Sequence, residues 1–422
     1  IVTLDSAGDN LSSSIYHGKG NEIERIAANS ATDSLGRIWS RLPTVFGFKG
    51  ARHAGKFMGL AAYADKPPEE LREKFRKMVT VDGTEIRNRW ARSLQGGSYE
   101  ELVRDLREIF GGYPAPQVAR ALQDRTEEII EKFAEAAVEK TGCGNVAISG
   151  GVMANVKANQ RVYELPSVDS VWVQQAMSDS GICIGAAYDI GSREYGWTTQ
   201  RLNSVALGPE YEGDEVDKAI QRYQKTSSFN VEQVSDTDDI AEIAAEHLAG
   251  GDVVCVAKGR MEYGPRALGQ RSILYQPTDA EAIDWLNKRL DRTEFMPFAP
   301  VTLREAANDC YQDYDHERCP AADHMTISLD CTEEMEERSP GVVHVDGTAR
   351  PQIIDDDDDE LYYAILKEYY ENTGIPTLIN TSFNMHGEPL VCTPKQALES
   401  WLRSKNEVLI LEDRVVRQEV KQ

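Results

Sequence analysis

The sequence lacks two features that would place it outside the cell or in a membrane. Its seven cysteines are scattered, and no two form a Cys-x-x-Cys pair. This usage is typical of a reduced, cytoplasmic chain rather than a disulfide-stabilised secreted domain. No run approaches the ~18 consecutive apolar residues of a membrane-spanning helix. We therefore predict a cytoplasmic protein with no membrane partner.

Positive charge is also scarce. The 422 residues include 70 Asp and Glu against 46 Lys and Arg, which gives a formal net charge of −24. A surface this negative repels a phosphate backbone, so the charge argues against a nucleic-acid partner. It also suits a protein that stays soluble at high salt. A halophilic protein and an ordinary acidic protein are both open interpretations of this composition.

The order of apolar and turn residues indicates an α/β fold. The length and a hydrophobic content of 41% allow two or three domains. Residues 1–27 predict a β-meander that begins in mid-fold, so we expect further sequence before Ile1. Residues 67–140 have helical periodicity, and Gly142 is placed to be the C-cap of the last helix.

Two strand–turn–helix units follow at 145–164 and 168–191, which is the pattern of an α/β domain. The periodicity lapses at 193–211. We therefore predict two domains, at 1–197 and 203–422, and the second is again predicted to be α/β because helical and strand patterns alternate along it.

Glycines and carboxylates follow the strands of the first domain. Gly150 and Gly151 separate a strand from a helix that carries Asn155, and such a turn lets a phosphate approach backbone N–H groups. A tight turn that serves only packing is an equally good interpretation. Asp5 and Asp179 lie where strands end, as metal or nucleotide contacts do in α/β proteins. Taken singly, each is more simply explained as a capping residue.

Two segments resemble functional motifs but have simpler interpretations. Residues 50–56, GARHAGK, match the start of a phosphate-binding loop, but Phe57 replaces the hydroxyl that would hold magnesium. No convincing strand precedes the segment, so we reject a P-loop and keep only Lys56 as a candidate. The acidic run 355–360 is interpreted as the solvated start of a helix.

Four segments of the second domain place Arg, Lys, Ser, Thr or Asn beside Gly or Pro: 258–272, 287–300, 344–352 and 380–391. They are too irregular to be ordinary helices or strands. Guanidinium groups bind phosphate and carboxylate oxygens in pairs, and hydroxyls and amides complete such a site. The alternative is that these arginines only balance a negative surface. Four such segments in one domain favour a site for an anion.

These segments also resemble a known family. "GRMEYGPRALGQRSIL", "FMPFAP", "HVDGTARPQ" and "NTSFN" are similar to signature segments of the O-carbamoyltransferases, of the nodulation-factor and antibiotic-tailoring type. "HAGKFMGLAAYA", "ISGGVMANVKAN" and "SDSGICIGAA" resemble the N-terminal domain of the same family. The resemblance covers essentially the whole chain. It implies an α/β protein with a partial actin-like, sugar-kinase-type domain at 1–197 and a YrdC-like domain at 203–422.

The resemblance also implies a reaction. The C-terminal domain would convert carbamoyl phosphate and ATP into carbamoyl adenylate. The N-terminal domain would pass the carbamoyl group to a hydroxyl of a small-molecule acceptor. The expected cofactors are ATP with Mg²⁺ and a second divalent metal, Fe²⁺ or Mn²⁺.

Site residues follow by position in the matching motifs. The catalytic set implied by the resemblance is Lys258, Arg260, Arg266, Arg292 and Arg350. The expected contacts to carbamoyl phosphate and ATP are Arg271, Ser272, His344, Asp346, Thr348, Asn380, Ser382 and Asn384. The expected contacts to the adenylate in the N-terminal domain are Lys56, Gly150, Gly151 and Asn155, and the expected metal ligands are Asp5 and Asp179.

The chain departs from the family pattern in three places. The family's two metal-binding histidines would precede Asp5, so we expect a preceding segment or a partner chain to supply them. Ser6 stands where the family has Gly, and Leu290 stands where many relatives have Lys. Either Lys258 or Lys288 then serves carbamoyl phosphate, or the site for it is weakened. A component of a threonylcarbamoyl-type tRNA modification system and a non-catalytic relative are the alternatives.

Overall fold

The computed structural model describes residues 1–93, 97–198, 202, 204–292 and 295–418. The chain divides into two units. Unit 1 comprises residues 1–200, 315–321 and 326–328, and unit 2 comprises 201–314, 322–325 and 329–422.

The two short segments of unit 1 had been predicted to lie in the second domain. Their backbone groups bond to unit 1 instead. Val171 N donates to Arg318 O at 2.8 Å, and Ser328 N donates to Val156 O at 3.2 Å. Local periodicity does not reveal such long-range hydrogen bonds. The sequence pattern therefore assigns these segments to the second domain only because the residues before and after them belong to it.

Unit 1 is a mixed α/β unit. Its strands are β1 Val2–Gly8, β2 Leu11–Lys19, β3 Glu22–Ser30, β4 Val79–Asp82, β5 Glu85–Asn88, β6 Asn145–Ser149 and β7 Ser170–Val173. Its helices are α1 Gly36–Trp39, α2 Leu42–Val45, α3 Ala54–Leu60, α4 Glu69–Met78, α5 Arg89–Ser93, α6 Tyr99–Phe110, α7 Ala115–Thr141, α8 Val156–Tyr163 and α9 Ile182–Tyr195.

The main sheet of unit 1 places the candidate residues at one edge. Its strand order is β3-β2-β1-β6-β7, with β1, β6 and β7 mutually parallel. Thr3 pairs with Ser149, so Asp5 and Gly150 both follow that paired level. Parallel strands end at the same edge of a sheet, and the predicted adenylate and metal residues therefore meet there.

The predictions for unit 1 are confirmed in part. The β-meander is β1 to β3, and Gly142 ends α7 in the left-handed conformation at φ 63°. The helical prediction for 67–140 is wrong at the β4–β5 hairpin. The hairpin has an Asp82-Gly83 turn, and Gly83 has φ 51°. Asp-Gly is a recognised hairpin signal that the helical periodicity on either side obscured.

Unit 2 is built on a second mixed sheet. Its strands are β8 Phe229–Gln233, β9 Val254–Ala257, β10 Arg271–Tyr275, β11 Ala299–Leu303, β12 Leu329–Asp330, β13 Thr348–Ala349, β14 Gln352–Ile354, β15 Thr377–Ser382, β16 Val408–Leu411 and β17 Arg414–Gln418. Its helices are α10 Asp214–Gln224, α11 Thr237–Ala249, α12 Ala282–Arg289, α13 Ala307–Cys310, α14 Glu333–Arg338, α15 Glu360–Thr373 and α16 Pro394–Ser404.

The strand order in the large sheet of unit 2 is β14-β11-β15-β10-β9-β16-β17-β8. Helices α11 and α15 pack on the sheet around buried residues such as Val256, Leu378 and Ile410. Strands β9, β10 and β16 are buried at every residue, as expected for strands covered on both faces. The core fixes these central strands, and the candidate loops extend from their ends.

The predicted irregular segments are partly regular. Arg271 and Ser272 begin β10, and residues 380–382 are the end of β15. The acidic run is also more than a solvated helix start. Asp359 does cap α15, since its side chain accepts from Tyr362 N. Asp356, Asp357, Asp358 and Glu360 are exposed at the start of α15, which confirms the predicted solvated helix start at these positions. The Asp359 side chain is only 13% exposed and is paired with a lysine, so the prediction fails at this residue.

No helix in the described part of the chain is long and apolar enough to cross a membrane.

A glycine at the edge of the unit 1 sheet should be essential to its stability. Gly150 has φ 104°, and a Cβ added there would lie 2.0 Å from the Leu4 carbonyl oxygen. We expect Gly150→Ala to destabilise unit 1 by about 2 kcal/mol or more, since strained backbone and overpacking add. Calorimetry should show a lower thermal midpoint. Gly185→Ala in α9, where nothing lies within 4 Å of an added Cβ, is the control. Equal midpoints for the two variants would contradict the prediction.

Candidate active site

Two arginines of unit 2 stand out because their charge is not compensated. Arg266 lies in the loop between β9 and β10, and Arg350 follows β13. Each residue is half-buried as a whole. The Nε atom of each is buried and has no hydrogen-bond partner among the described residues. Burial lowers the pKa of Arg266. Burial and the nearby charge of Arg266 hold the pKa of Arg350 well below its ordinary value.

Arg304, a half-buried arginine of unit 2, shows how carboxylates compensate such a charge. Arg304 Nε lies 2.6 Å from Asp355 Oδ2, and its terminal nitrogens lie 3.2 Å from Asp323 and 3.4 Å from Asp358. Burial alone would lower the pKa of Arg304, but the carboxylates reverse the effect and raise it. Among the described residues, no carboxylate is paired with Arg266 or Arg350 in this way, so a bound anion would supply the missing negative charge.

The loop that carries Arg266 is fixed by amide side chains. Asn380 Nδ2 donates to Ala267 O at 3.1 Å and to Gln352 Oε1 at 2.9 Å. Gln352 Nε2 in turn donates to Leu268 O at 2.9 Å. Asn380 is a predicted ligand contact, and the structure shows that it also anchors the neighbouring backbone of Arg266.

A buried carboxylate closes the same loop. Glu262 is 4% exposed, and its Oε1 accepts from Leu268 N at 2.9 Å and Arg271 N at 3.1 Å. The other oxygen is buried without a hydrogen-bond partner among the described residues. Burial therefore raises the pKa of Glu262. This carboxylate bends the arginine-rich segment back on itself.

Arg271 serves the scaffold rather than an open site. It is 2% exposed. One terminal nitrogen donates to Lys258 O at 2.6 Å, and the other donates to Gly259 O at 3.1 Å and Cys392 O at 3.3 Å. These bonds tie the ends of two loops together. Burial lowers the pKa of Arg271 as well, but its donors are already committed to carbonyl groups.

Two further predicted cations differ in exposure. Lys258 Nζ lies 2.5 Å from Asp359 Oδ1, and Gln270 Nε2 donates to the other oxygen of Asp359 at 2.8 Å. Arg260 is exposed and donates to Leu207 O at 3.2 Å. Lys258 is therefore held in place with its charge balanced, whereas Arg260 remains accessible to a ligand.

The structure brings Arg292 together with the end of β15. Its terminal nitrogens donate to Thr381 Oγ1 at 2.9 Å, Ser382 O at 2.6 Å and Asn384 Oδ1 at 2.9 Å. The family resemblance implies that Arg292 belongs to the catalytic set and that Ser382 and Asn384, from a separate segment, contact the ligands. They form one contiguous cluster, in which Arg292 sets the shape of the loop that follows β15.

The remaining predicted contacts form local networks. Ser272 Oγ accepts from Gly269 N at 3.0 Å. His344 Nδ1 lies 3.2 Å from Asp346 Oδ1, and Thr348 Oγ1 donates to the same oxygen at 2.7 Å. These bonds fold the 344–348 turn that leads to Arg350.

Sequence reasoning missed three residues of this arrangement: Glu262, Gln352 and Asp359. The signal for Glu262 was present, since it is the single carboxylate within the arginine-rich segment 258–272. Asp359 was hidden in an acidic run, and Gln352, the last residue of the segment HVDGTARPQ, was not singled out as a contact.

In unit 1 the predicted glycine turn does contact a predicted metal ligand. A Cβ added at Gly151 would lie 3.2 Å from Asp5 Oδ1 and 3.8 Å from Ser178 Cβ. Asp5 Oδ1 accepts from Ser6 N at 2.6 Å. Asp179 begins the short 3₁₀ turn after β7 and is exposed. The turn, Asp5 and the 178–179 segment thus share one edge of the sheet.

Two other predicted residues of unit 1 are placed differently. Asn155 is 7% exposed, and its side chain caps α8 by accepting from Ala158 N at 3.1 Å. Its amide nitrogen donates to Gln123 Oε1 at 2.8 Å. Asn155 is therefore occupied by the scaffold. Lys56 is half-buried on α3.

The residues present do not complete a metal site. Among the described residues, no three His, Cys, Asp or Glu side chains come together in a way that would hold a metal ion. Asp5 and Asp179 supply two carboxylates at this edge of the sheet.

The chain matches the family described as Carbamoyltransferase N-terminus over residues 1–188 and Carbamoyltransferase C-terminus over residues 245–418. Both matches define the same class of enzyme, a transferase of carbamoyl groups. The chain belongs to the carbamoyltransferase family, and the resemblance drawn from its motifs is confirmed.

Similar proteins cover nearly all of the chain. It is 30% identical over 424 residues to "Uncharacterized protein MJ1051" of Methanocaldococcus jannaschii, a match of 97% of this chain and 77% of the relative. It is 29% identical over 432 residues to nodulation protein NolO of Bradyrhizobium diazoefficiens, a match of 99% of this chain and 75% of the relative.

A crystal structure of T. kodakarensis HypF is similar over 46% of this chain and 24% of that protein, at 18% identity and a TM-score of 0.31. A likeness at this TM-score supports no conclusion about the present chain.

The buried Glu262 should make stability depend on pH in a defined direction. Its pKa is raised by folding, so its stabilising contribution is present at low pH and is lost as pH rises above the unfolded value of about 4.3. We expect Glu262→Gln to raise the thermal midpoint relative to the wild type more at pH 8 than at pH 4.5. Each kcal/mol corresponds to about 2–4 °C for a unit of this size.

The exposed Glu242 on α11 offers a matched control, because Glu242→Gln removes the same charge from the surface. A difference between the Glu262→Gln variant and the wild type that is constant from pH 4.5 to pH 8 would contradict the assignment.

Proposed function

We propose that the protein is an ATP-dependent O-carbamoyltransferase that uses carbamoyl phosphate and passes through carbamoyl adenylate. The observation that carries the proposal is the pair Arg266 and Arg350, whose buried Nε atoms have no partner in the described chain. Two desolvated guanidinium groups, close enough that the charge of Arg266 adds to burial in lowering the pKa of Arg350, favour a multiply charged anion. Carbamoyl phosphate and the ATP triphosphate both meet that requirement.

Each unit takes one half-reaction in this proposal. In unit 2, water cleaves carbamoyl phosphate to carbamate and phosphate. A carbamate oxygen then bonds to the α-phosphorus of ATP, and pyrophosphate leaves. In unit 1, an acceptor hydroxyl attacks the carbonyl carbon of the adenylate, AMP leaves, and the hydroxyl proton passes to solvent or base. The glycine turn at Gly150–Gly151 would accommodate the adenylate phosphate.

We also propose the finer fold assignments. The order β3-β2-β1-β6-β7, with a meander on one side and parallel strands on the other, supports a partial actin-like domain in unit 1. The mixed sheet with arginine-bearing loops at the ends of its strands supports a YrdC-like domain in unit 2. Seven free cysteines support a reduced, cytoplasmic location, and the net charge of −24 supports function at high salt.

The proposed role of the Arg266–Arg350 pair can be tested by removing one of the two guanidinium groups. Arg350→Ala should lower kcat/KM for carbamoyl-phosphate-dependent pyrophosphate release by about 10–150-fold, since a charge-assisted hydrogen bond contributes about 1.5–3 kcal/mol. Arg222→Ala, on the exposed side of α10, is the control and should retain the activity. Unchanged release by the Arg350→Ala variant would overturn the assignment.

Divalent metal is a separate part of the proposal. We propose that Asp5 and Asp179 contribute two ligands to Fe²⁺ or Mn²⁺, with Mg²⁺ accompanying ATP. Because two carboxylates are a sparse set, chain 1–422 should bind Mn²⁺ more weakly than about 0.1 mM. Asp5→Asn should weaken binding at least about tenfold. Asp9→Asn, in the exposed β1–β2 turn, should not change it. Tight stoichiometric binding to the Asp5→Asn variant would refute this ligand assignment.

A further inference from the structure

A cavity of about 530 Å³ opens on unit 1 beside Ser6. Its lining includes three cations, Arg41, Lys49 and Arg52, and no carboxylate among the residues that the structure describes. The chain as a whole has 70 acidic residues against 46 basic ones. A lining of this composition therefore gives a local positive potential in an otherwise negative protein.

The walls of the cavity are held in place before any ligand binds. Gly50 has φ 47°, and a Cβ there would lie 2.9 Å from Ser40 O and 3.2 Å from Tyr99 Oη. The Tyr99 hydroxyl is hydrogen-bonded to Thr44 Oγ1 at 3.1 Å. The Arg41 guanidinium lies 5.6 Å from the centroid of the Tyr99 ring. Close backbone approach at Gly50 thus fixes the segment that carries Lys49 and Arg52.

Arg41 has unused capacity for an anion. One terminal nitrogen donates to Arg37 O at 3.2 Å and Ser40 Oγ at 2.8 Å, but the buried Nε has no hydrogen-bond partner among the described residues. Burial, and then the charge of Arg37, lower the pKa of Arg41. A negative group in the cavity would relieve both effects, as argued above for Arg266 and Arg350.

The position of the cavity indicates which substrate needs it. Ser6, in its lining, directly follows Asp5, the residue that contacts the glycine turn. Lys49 and Arg52 are exposed. A mixed anhydride such as carbamoyl adenylate must be kept from water, whereas an acceptor hydroxyl enters from solvent. An open cationic cavity next to the transfer site therefore suits the acceptor better than the adenylate.

We propose that this cavity binds an anionic group of the acceptor, so that the acceptor is a hydroxyl compound that also carries a phosphate or a carboxylate. The inference rests on the proposed transfer reaction in unit 1. It also gives a role to the segment 50–56, which is not a P-loop but contributes Gly50, Ala51 and Arg52 to an anion site.

Calorimetric titration of the full chain, without ATP or carbamoyl phosphate, tests the proposal. The probes are glucose 6-phosphate, glucuronate, neutral glucose and AMP at one fixed ionic strength, because salt screens exposed charges. At least one charged sugar should bind about tenfold or more tightly than glucose and more tightly than AMP. Arg52→Gln should reduce that affinity about tenfold. Arg25→Gln, an exposed charge change on β3, should leave it unchanged.

Several results would overturn the proposal. These are equal or absent binding of charged and neutral sugars, binding unaffected by Arg52→Gln, or AMP that binds more tightly and displaces the sugars. The last result would assign the cavity to the adenylate phosphate. Pyrophosphate release measured on the same preparation separates this outcome from a failure of the proposed function, because release depends on Arg350 and not on the cavity.

Discussion

A guanidinium group that is buried away from water is stabilised by nearby negative charge. The candidate site of unit 2 is built around two arginines, Arg266 and Arg350, for which the described residues supply no such charge. The Nε atoms of Arg266 and Arg350 are buried without partners in the described chain. The surrounding groups hold this unfavourable arrangement in place. Asn380 anchors the backbone next to Arg266, and Glu262 bonds the two ends of the same segment. The cost of desolvating the guanidinium groups is offset when an anion binds, which is how a preformed charged site gains selectivity.

Three other cations of unit 2 differ from Arg266 and Arg350, because groups of the protein itself compensate their charge. Arg304 is surrounded by three carboxylates, Arg271 by backbone carbonyls, and Lys258 by Asp359. These side chains connect loops to the sheet, and their charge is paired with carboxylate or carbonyl oxygens of the protein. The acidic composition therefore does not only repel ligands. It supplies the carboxylates that fix the structural cations and leaves a small number of arginines for substrate.

Features with a local signal were predictable from sequence. The glycine turn at Gly150, the left-handed cap at Gly142 and the strands β9 and β15 follow from turn chemistry and periodicity. The hairpin at Asp82-Gly83 was missed because helical patterns on both sides outweighed a two-residue signal. The roles of individual arginines were not predictable. Arg271 and Arg266 lie in one segment, and only the tertiary structure shows that one bonds to carbonyls while the other is unpartnered.

The central claim is that the arginine loops of unit 2 activate a carbamoyl group with ATP. The most direct measurement is exchange of labelled pyrophosphate into ATP by the purified chain, with and without carbamoyl phosphate, at high and low salt. The account predicts exchange that requires carbamoyl phosphate and is lost when both Arg266 and Arg350 are replaced by Gln in a protein that still unfolds at the wild-type temperature. Exchange that persists in the double variant, or the absence of exchange in the folded wild-type chain at every salt concentration, would contradict it.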